Sequence, residues 1–362
     1  MTKVIQLLFI SLLLIGCSEK QDMSSPAGTG KKYSRFLSIR DEKNGVYIDI
    51  KHPDRKNKSY KFFIKKEPNS TIPAEYVEIQ KGNLSFLVFS TTHCAMLAQL
   101  NQIQKIKGTC SRDLIYNAEI KQKIDTKKIV DFGNETNPSI EKIIDLKPSV
   151  IVYSGFSAEF AKNKELQKLG IITIPNFDWK ESHPLGKAEW ILLFGYLTGS
   201  EDSAKEHLAK ITKEYNELKK SIQGDKKSPV VLSGSKMGDF WYAPAGESYM
   251  SQLISDAGGT YLYKNTKGTG SLSCGQEKIL IDAKKANFWI NPGLPSYRLL
   301  KLSNPKASFL KPFQEKNVFC YTKNPNKYWE LSAVHPEWVL SDLISIFHSF
   351  PSKKLHFYQP LD

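Results

Sequence analysis

Ser233-Gly234-Ser235-Lys236-Met237-Gly238 sets two hydroxyls in a glycine-containing turn, a setting in which a serine could attack an ester or amide. Such a nucleophile needs the G-x-S-x-G frame and a general base beside it, and neither accompanies this segment, so the reading excludes an enzyme of this kind. Gly28-Thr29-Gly30-Lys31-Lys32 brings glycines and lysines together without the spacing that cradles phosphates; any ATPase must be a separate chain. The seven histidines (His52, His93, His183, His207, His335, His348 and His356) form no His-rich loop. A site for bare zinc or manganese would need several imidazoles and carboxylates converging at about 2 Å, and no such cluster is expected. Cys94, Cys110, Cys274 and Cys320 show no C-x-x-C spacing, which excludes zinc-ribbon and thioredoxin-type chemistry. Disulfides between Cys94 and Cys110 and between Cys274 and Cys320 stay open in an exported chain.

The fifth cysteine has a clearer context. Lys3 precedes a mainly apolar run over residues 4–15, which ends in Leu14-Ile15-Gly16-Cys17 before the text turns polar. That run is too short to cross a bilayer core of about 30 Å as a helix, and it suits a signal-peptide core. Small Gly16 before Cys17 is the lipobox pattern of bacterial lipoproteins, in which the cysteine is acylated and becomes the mature N-terminus. The expectation is a signal peptide over 1–16, lipidation at Cys17, and attachment to a membrane surface through acyl chains without a spanning helix. Residues 17–34 read as a flexible tether, since Ser24-Ser25-Pro26-Ala27-Gly28-Thr29-Gly30 has nothing to bury.

The formal charge of +14 invites a nucleic-acid reading, but 46 of the 51 basic residues are lysines spread along the chain. With no recognition module beside them, solvated faces explain the charge and no nucleic-acid partner is expected.

The elements that must position any site divide in two. Residues 36–39, 46–50 and 60–64 read as strands around turn material such as Asn44-Gly45, a β-rich start. From residue 84 strands alternate with helices: strands at 84–89, 105–108, 151–153 and 171–174, and a helix from 95 to about 100 after the loop Ser90 to His93. This argues an α/β domain with a mainly parallel sheet. An internal echo supports a second lobe. Residues 137–147 lead as a capped helix into strand 150–153, and residues 273–284 lead likewise into 288–290; Asn137 with Pro138, and Ser273 with Gln276, supply the caps. Glu141 and Glu277 each fall four residues beyond those caps. Between the echoes, residues 184–197 read as one helix; Ala204, Leu208, Ile211, Tyr215, Leu218 and Ile222 then make a single apolar stripe over a helix of about 30 Å. The expected organisation is a first lobe with its β-rich extension over 35–183, an inter-lobe helical linker over 184–222, and a second lobe over 223–362: two Rossmann-like α/β lobes joined by a long helix.

This pattern resembles the helical-backbone (class III) solute-binding proteins of ABC importers for ferric siderophores, haem and cobalamin. Leu146-Lys147-Pro148-Ser149 is similar to that family's helix–LKPD–strand segment, with Ser in place of Asp. Residues 184–191 resemble the opening of its inter-lobe region. Ser248-Tyr249-Met250 with Asp256-Ala257-Gly258-Gly259 resembles its second-lobe helix and turn, and Tyr328-Trp329-Glu330, His335-Pro336 and Asp342-Leu343 its C-terminal segment. The likeness covers roughly residues 85–362, and the β-rich start resembles an extension of Bacteroidetes-type members. It implies a periplasmic, lipid-anchored monomer with no cofactor of its own, whose partners are an ABC permease, its ATPase and a ligand that carries iron or cobalt. It also implies that one carboxylate on each lobe, Glu141 and Glu277, docks onto permease arginines, which would orient a basic protein on its partner. The plainer role of both is to complement a helix N-terminus. An alternative is a corrinoid-specific or surface scavenging lipoprotein with no permease.

Ligands of open α/β sheets sit beyond the carboxyl ends of strands. That rule selects Thr92, His93, Arg112, Tyr116, Phe156 and Trp179 in the first lobe, and Lys236, Trp241, Tyr242, Arg298 and Trp329 in the second. Aromatic faces with a few cations suit a macrocycle or an anionic chelate, and the planar forks of Arg112 and Arg298 suit carboxylates. His93 and Tyr116 carry groups able to ligate haem iron. Trp190 and Trp289 read as packing, Trp241 and Trp329 as loop residues.

Overall fold

The computed structural model describes residues 32–80, 82–133, 136–156, 159–225, 228–348 and 354–362. The signal peptide, Cys17 and most of the tether lie outside the described residues. Strands β1 (Leu37–Asp41), β2 (Gly45–Lys51), β3 (Ser59–Lys65) and β4 (Val77–Ile79) form a four-stranded sheet, antiparallel up to β3 and parallel between β3 and β4. Alternation places Val46, Ile48 and Ile50 of β2 on one buried face. Those side chains share a core with Val88 and Val152 of the next sheet, so the extension is part of the first lobe's packing.

The first lobe has a parallel sheet of β5 (Phe86–Val88), β6 (Ile106–Thr109), β7 (Val130–Asp131), β8 (Val150–Tyr153) and β9 (Ile172–Pro175), in the order β7-β6-β5-β8-β9. Near-continuous burial of β5 and β8 follows from coverage on both faces. Its helices are α1 (Thr91–Gln99), α2 (Ala118–Asp125), α3 (Ile140–Leu146) and α4 (Asn163–Lys168). Ser90 caps α1 by accepting the N–H of Thr92, so the helix starts directly after the strand where a loop was expected.

Three helices follow: α5 (Pro184–Ala188), α6 (Ile191–Thr198) and α7 (Glu201–Ser221). The single helix expected over 184–197 is thus two, joined at Glu189 and Trp190. The 21-residue α7 carries the predicted stripe: Ala204 sits in the first lobe's core, Ile211 and Tyr215 in the second's. The Tyr215 hydroxyl donates to Asp256 at 2.8 Å, and Lys219 pairs with the same carboxylate at 2.6 Å, fixing the rod to the second lobe.

The second lobe contains β10 (Val230–Ser233), a side sheet of β11 (Ser235–Met237), β12 (Phe240–Pro244) and β14 (Ser271–Gly275), then β13 (Thr260–Tyr261), β15 (Phe288–Ile290), β16 (Val318–Cys320) and β17 (Gln359–Pro360). Its main sheet runs β13-β10-β15-β16-β17, parallel except for β17. Helices α8 (Tyr249–Asp256), α9 (Gln276–Asp282), α10 (Tyr297–Ser303), α11 (Lys311–Gln314), α12 (Pro325–Leu331) and α13 (Pro336–His348) cover it. The echo survives in three dimensions: α3 leads into β8 beside β5, and α9 leads into β15 beside β10. The caps differ from those expected. Ser139 caps α3 and Gly275 caps α9, because the residues around Ser273 are drawn into β14. Glu141 and Glu277 nonetheless occupy the same second position of their helices.

The end of the tether is not free. The Glu189 carboxylate accepts the N–H groups of Tyr33 (2.8 Å) and Ser34 (2.7 Å), and Glu181 accepts the Ser34 hydroxyl (2.6 Å) and the Arg35 N–H (2.9 Å). The buried Glu181 and half-buried Glu189 carboxylates thus hold residues 33–35 against the start of the inter-lobe helices, which corrects the expectation of a loose chain through residue 34.

Candidate ligand-binding cleft

The carboxyl ends of β5, β6, β8 and β9 open onto a cavity of about 350 Å³, closed on its other side by α8 and α12 of the second lobe. Its aromatic wall is Phe156, 65% exposed, against Trp179 at 4.7 Å between ring centroids, with Tyr249 and Trp329 opposite. The Trp179 indole donates to the Ser154 carbonyl at 2.7 Å, which holds the ring at the rim. Gly155, between two lining residues, has φ +66°, and a Cβ there would meet the Phe177 ring at 2.3 Å. Glycine lets the chain turn over that ring.

The floor carries two charges. Asp178 is buried, its N–H held by Asn176 Oδ1 at 2.8 Å, and its Oδ2 accepts no hydrogen bond from a described residue. Burial pushes its carboxyl up; the Lys187 ammonium and the Thr92 hydroxyl oppose that. Lys187, also buried, lies over the Tyr249 ring at 4.9 Å.

Of the predicted first-lobe residues, Thr92, Phe156 and Trp179 line this cavity. His93 does not. It points into the core beside Phe194, fully buried, and desolvation drops its imidazole to about 3. The helix that starts at Thr91 turns His93 away from the cleft, so it is no axial ligand here. Arg112 is outside the lining, and its fork pairs with Asp125, with Nη2 2.7 Å from Oδ2. Tyr116 is 37% exposed and outside the lining.

In the second lobe only Trp329 of the predicted set reaches the cavity, from α12 and not from a loop. Trp241 lies in β12, 1% exposed, packed on Trp289 at 5.2 Å with its indole donating to the Ser233 carbonyl; it is core. Lys236 lines a separate hollow of about 260 Å³ beyond β10 and β15. Tyr242 and Arg298 are exposed near it but line neither space. Lys187, Tyr249 and Asn326 line the cleft and were not singled out. The one signal for Lys187 is that it and Glu189 are the only charged residues in the apolar stretch 184–198.

All four described cysteines are free thiols, and the described residues hold no cluster of three or more metal-ligating side chains. No described helix is long and apolar enough to cross a membrane.

Two α/β lobes joined by a rod, with a cleft at the facing sheet ends, are the architecture of a solute-binding protein. The chain belongs to the periplasmic binding protein family, whose model matches residues 90–309. An uncharacterized lipoprotein of Methanocaldococcus jannaschii is 30% identical over 287 residues, covering 75% of this chain and 67% of the relative. The iron-uptake system-binding protein of Bacillus subtilis is 31% identical over 140 residues, 37% of this chain and 40% of that one. The periplasmic haem-binding protein of Vibrio cholerae has the same fold, with a TM-score of 0.60 at 12% identity over 75% of this chain and all of its own.

Proposed function

We propose that this protein is the lipid-anchored capture component of an ABC importer, holding an iron chelate, haem or a corrinoid between its lobes and delivering it to a membrane permease. The observation that carries this reading is the aromatic cleft built from both lobes, lined by Phe156 and Trp179 of the first and Tyr249 and Trp329 of the second. Large flat or apolar ligands bury well against such walls, and a few polar groups at the floor fix their orientation. A cavity of about 350 Å³ takes one edge of such a ligand, leaving the remainder between the lobes. Thr92, Phe156, Trp179 and Trp329 are the assigned contacts, joined by Asp178, Lys187, Tyr249 and Asn326. Lipidation at Cys17 is supported by the lipobox and by the lipoprotein name of the M. jannaschii relative; an iron-bearing cargo is supported by the names of the B. subtilis and V. cholerae proteins. Glu141 and Glu277, at matching helix positions, are assigned to permease docking.

Native mass spectrometry of protein purified from its own host tests the reading. A species heavier by the mass of a chelate, haem or corrinoid is expected. Ligand-free protein that also takes up none of these when offered them would refute it.

A further inference from the structure

Two thiols meet beneath the first-lobe wall of the cleft. Cys94, in the first turn of α1, is fully buried; Cys110, just past β6, is 3% exposed and belongs to the cavity lining. Both are pinned to the end of β5, the Cys110 N–H on the Val88 carbonyl at 3.1 Å and the Cys94 N–H on the Ser90 carbonyl at 3.2 Å. One hydroxyl serves both sulfurs: Thr109 Oγ1 is 3.0 Å from Cys94 Sγ and donates to Cys110 Sγ at 3.7 Å. The Cys94 thiol also donates to the Cys110 sulfur, which keeps the proton on Cys94 and draws the Cys110 thiol below its ordinary value. Sulfurs already in hydrogen-bond contact have only to close to about 2.05 Å to join. A free thiolate beside a ferric or cobalt cargo could ligate its metal; a disulfide has no thiolate to offer.

We infer that Cys94 and Cys110 are joined as a disulfide in the exported protein, tying α1 to β6 and leaving no free thiol in the cleft wall. This rests on export to an oxidising compartment, which is part of the reading above. The oxidant is a disulfide-bearing thiol oxidoreductase, met while the chain folds and both sulfurs are still accessible. The Cys110 thiolate attacks its disulfide to give a mixed disulfide, and the Cys94 thiolate displaces the oxidant from Cys110. The two thiols lose two protons and two electrons, and the oxidant leaves as a dithiol. Burial then shields the new bond from exchange.

The test isolates the protein from its own host with an alkylating agent and no reductant, and maps the cysteine peptides by mass. Cys94 and Cys110 are expected unalkylated, in one linked pair of peptides lighter by two hydrogens, and alkylated only after reduction. Reductant should lower the thermal midpoint by about 5 °C, the scale of closing a loop of this length. Reductant should leave the midpoint of the Cys94→Ala, Cys110→Ala double variant unmoved; the peptide map decides the matter if that variant does not fold. Alkylated Cys94 and Cys110, a link from either to another cysteine, or an undiminished reductant effect in the variant overturns the inference. The N-terminal peptide tells the two readings apart. Free thiols on a chain acylated at Cys17 refute the disulfide alone, whereas free thiols on a chain that keeps residues 1–16 refute export as well.

Discussion

The Glu330 carboxylate, on α12 of the second lobe, accepts the backbone N–H of Tyr116 in the first lobe at 2.6 Å. It takes the N–H of Asn117 at 3.0 Å as well. Glu330 is 1% exposed, and Asn326 one turn earlier donates to the Asp113 carbonyl at 2.6 Å, so α12 latches the lobes at one edge of the cleft. Glu330→Ala leaves two backbone donors without their acceptor. Hydrogen bonds to a buried charge contribute about 1.5–3 kcal/mol, so a loss of about 2–3 kcal/mol in urea unfolding is expected, with Glu330→Gln in between. A change below about 0.5 kcal/mol would show that the latch contributes nothing net.

His93 gives a pH dependence of defined sign. Burial without a hydrogen-bonding acceptor or donor of good geometry holds its imidazole at about 3, far below the ordinary value of 6.5. The folded state therefore binds fewer protons than the unfolded chain between those values. Stability is fully present above pH 6.5 and is lost as pH falls toward 3. Each pH unit corresponds to about 1.4 kcal/mol, so at pH 4.5 the loss attributable to His93 should be about 2–3 kcal/mol. His93→Phe, which keeps an aromatic ring beside Phe194, should lack this component when the two proteins are unfolded in parallel at pH 7 and pH 4.5. Identical pH profiles would refute it.

Much of the frame was legible because it depends on local pattern. The stripe Ala204, Ile211, Tyr215 identified the inter-lobe rod, and the helix–strand echo at 140–153 and 276–290 identified two related lobes. The misreadings share another cause. Nothing in Ser90-Thr91-Thr92-His93 marks where strand ends and helix begins, and a cap formed by Ser90 turns His93 inward by one helical step. Trp241 looks like a loop residue until β12 is seen to pair with β14, more than twenty residues downstream. The hold of Glu181 and Glu189 on residues 33–35 joins segments about 150 residues apart, which no periodicity encodes. Lys187 hides inside an apolar helix, and only the meeting of that helix with Tyr249 gives its charge a place.

Gly155 tests how tightly the cleft rim is built. Its φ of +66° lies in the left-handed region, and a Cβ would press into the Phe177 ring, itself 1% exposed. Gly155→Ala must strain the backbone and displace a core side chain, which together cost about 2–4 kcal/mol. Because Ser154 and Phe156 flank it in the cleft lining, ligand affinity should fall along with the thermal midpoint. A variant with wild-type midpoint and affinity would mean that Phe177 can yield freely.

The docking assignment has its own signature, separable from ligand binding. Glu141 and Glu277 are exposed, each at the second position of a helix that precedes the equivalent strand in its lobe. Glu277 pairs with Lys306 at 3.2 Å, an exposed pair that an arginine of a partner can displace at little cost. Neither residue lines the cleft, so reversing both charges should leave fluorescence-measured affinity within about twofold of wild type. Charge complementarity sets encounter rate and register between partners, and its reversal at two points should reduce ligand uptake by cells about tenfold or more, with each single reversal falling between. Raising the ionic strength should shrink the difference, since exposed charges are screened over about 10 Å at 0.1 M salt. Uptake at the wild-type rate by the doubly reversed protein would leave the two glutamates with no role beyond complementing their helix ends.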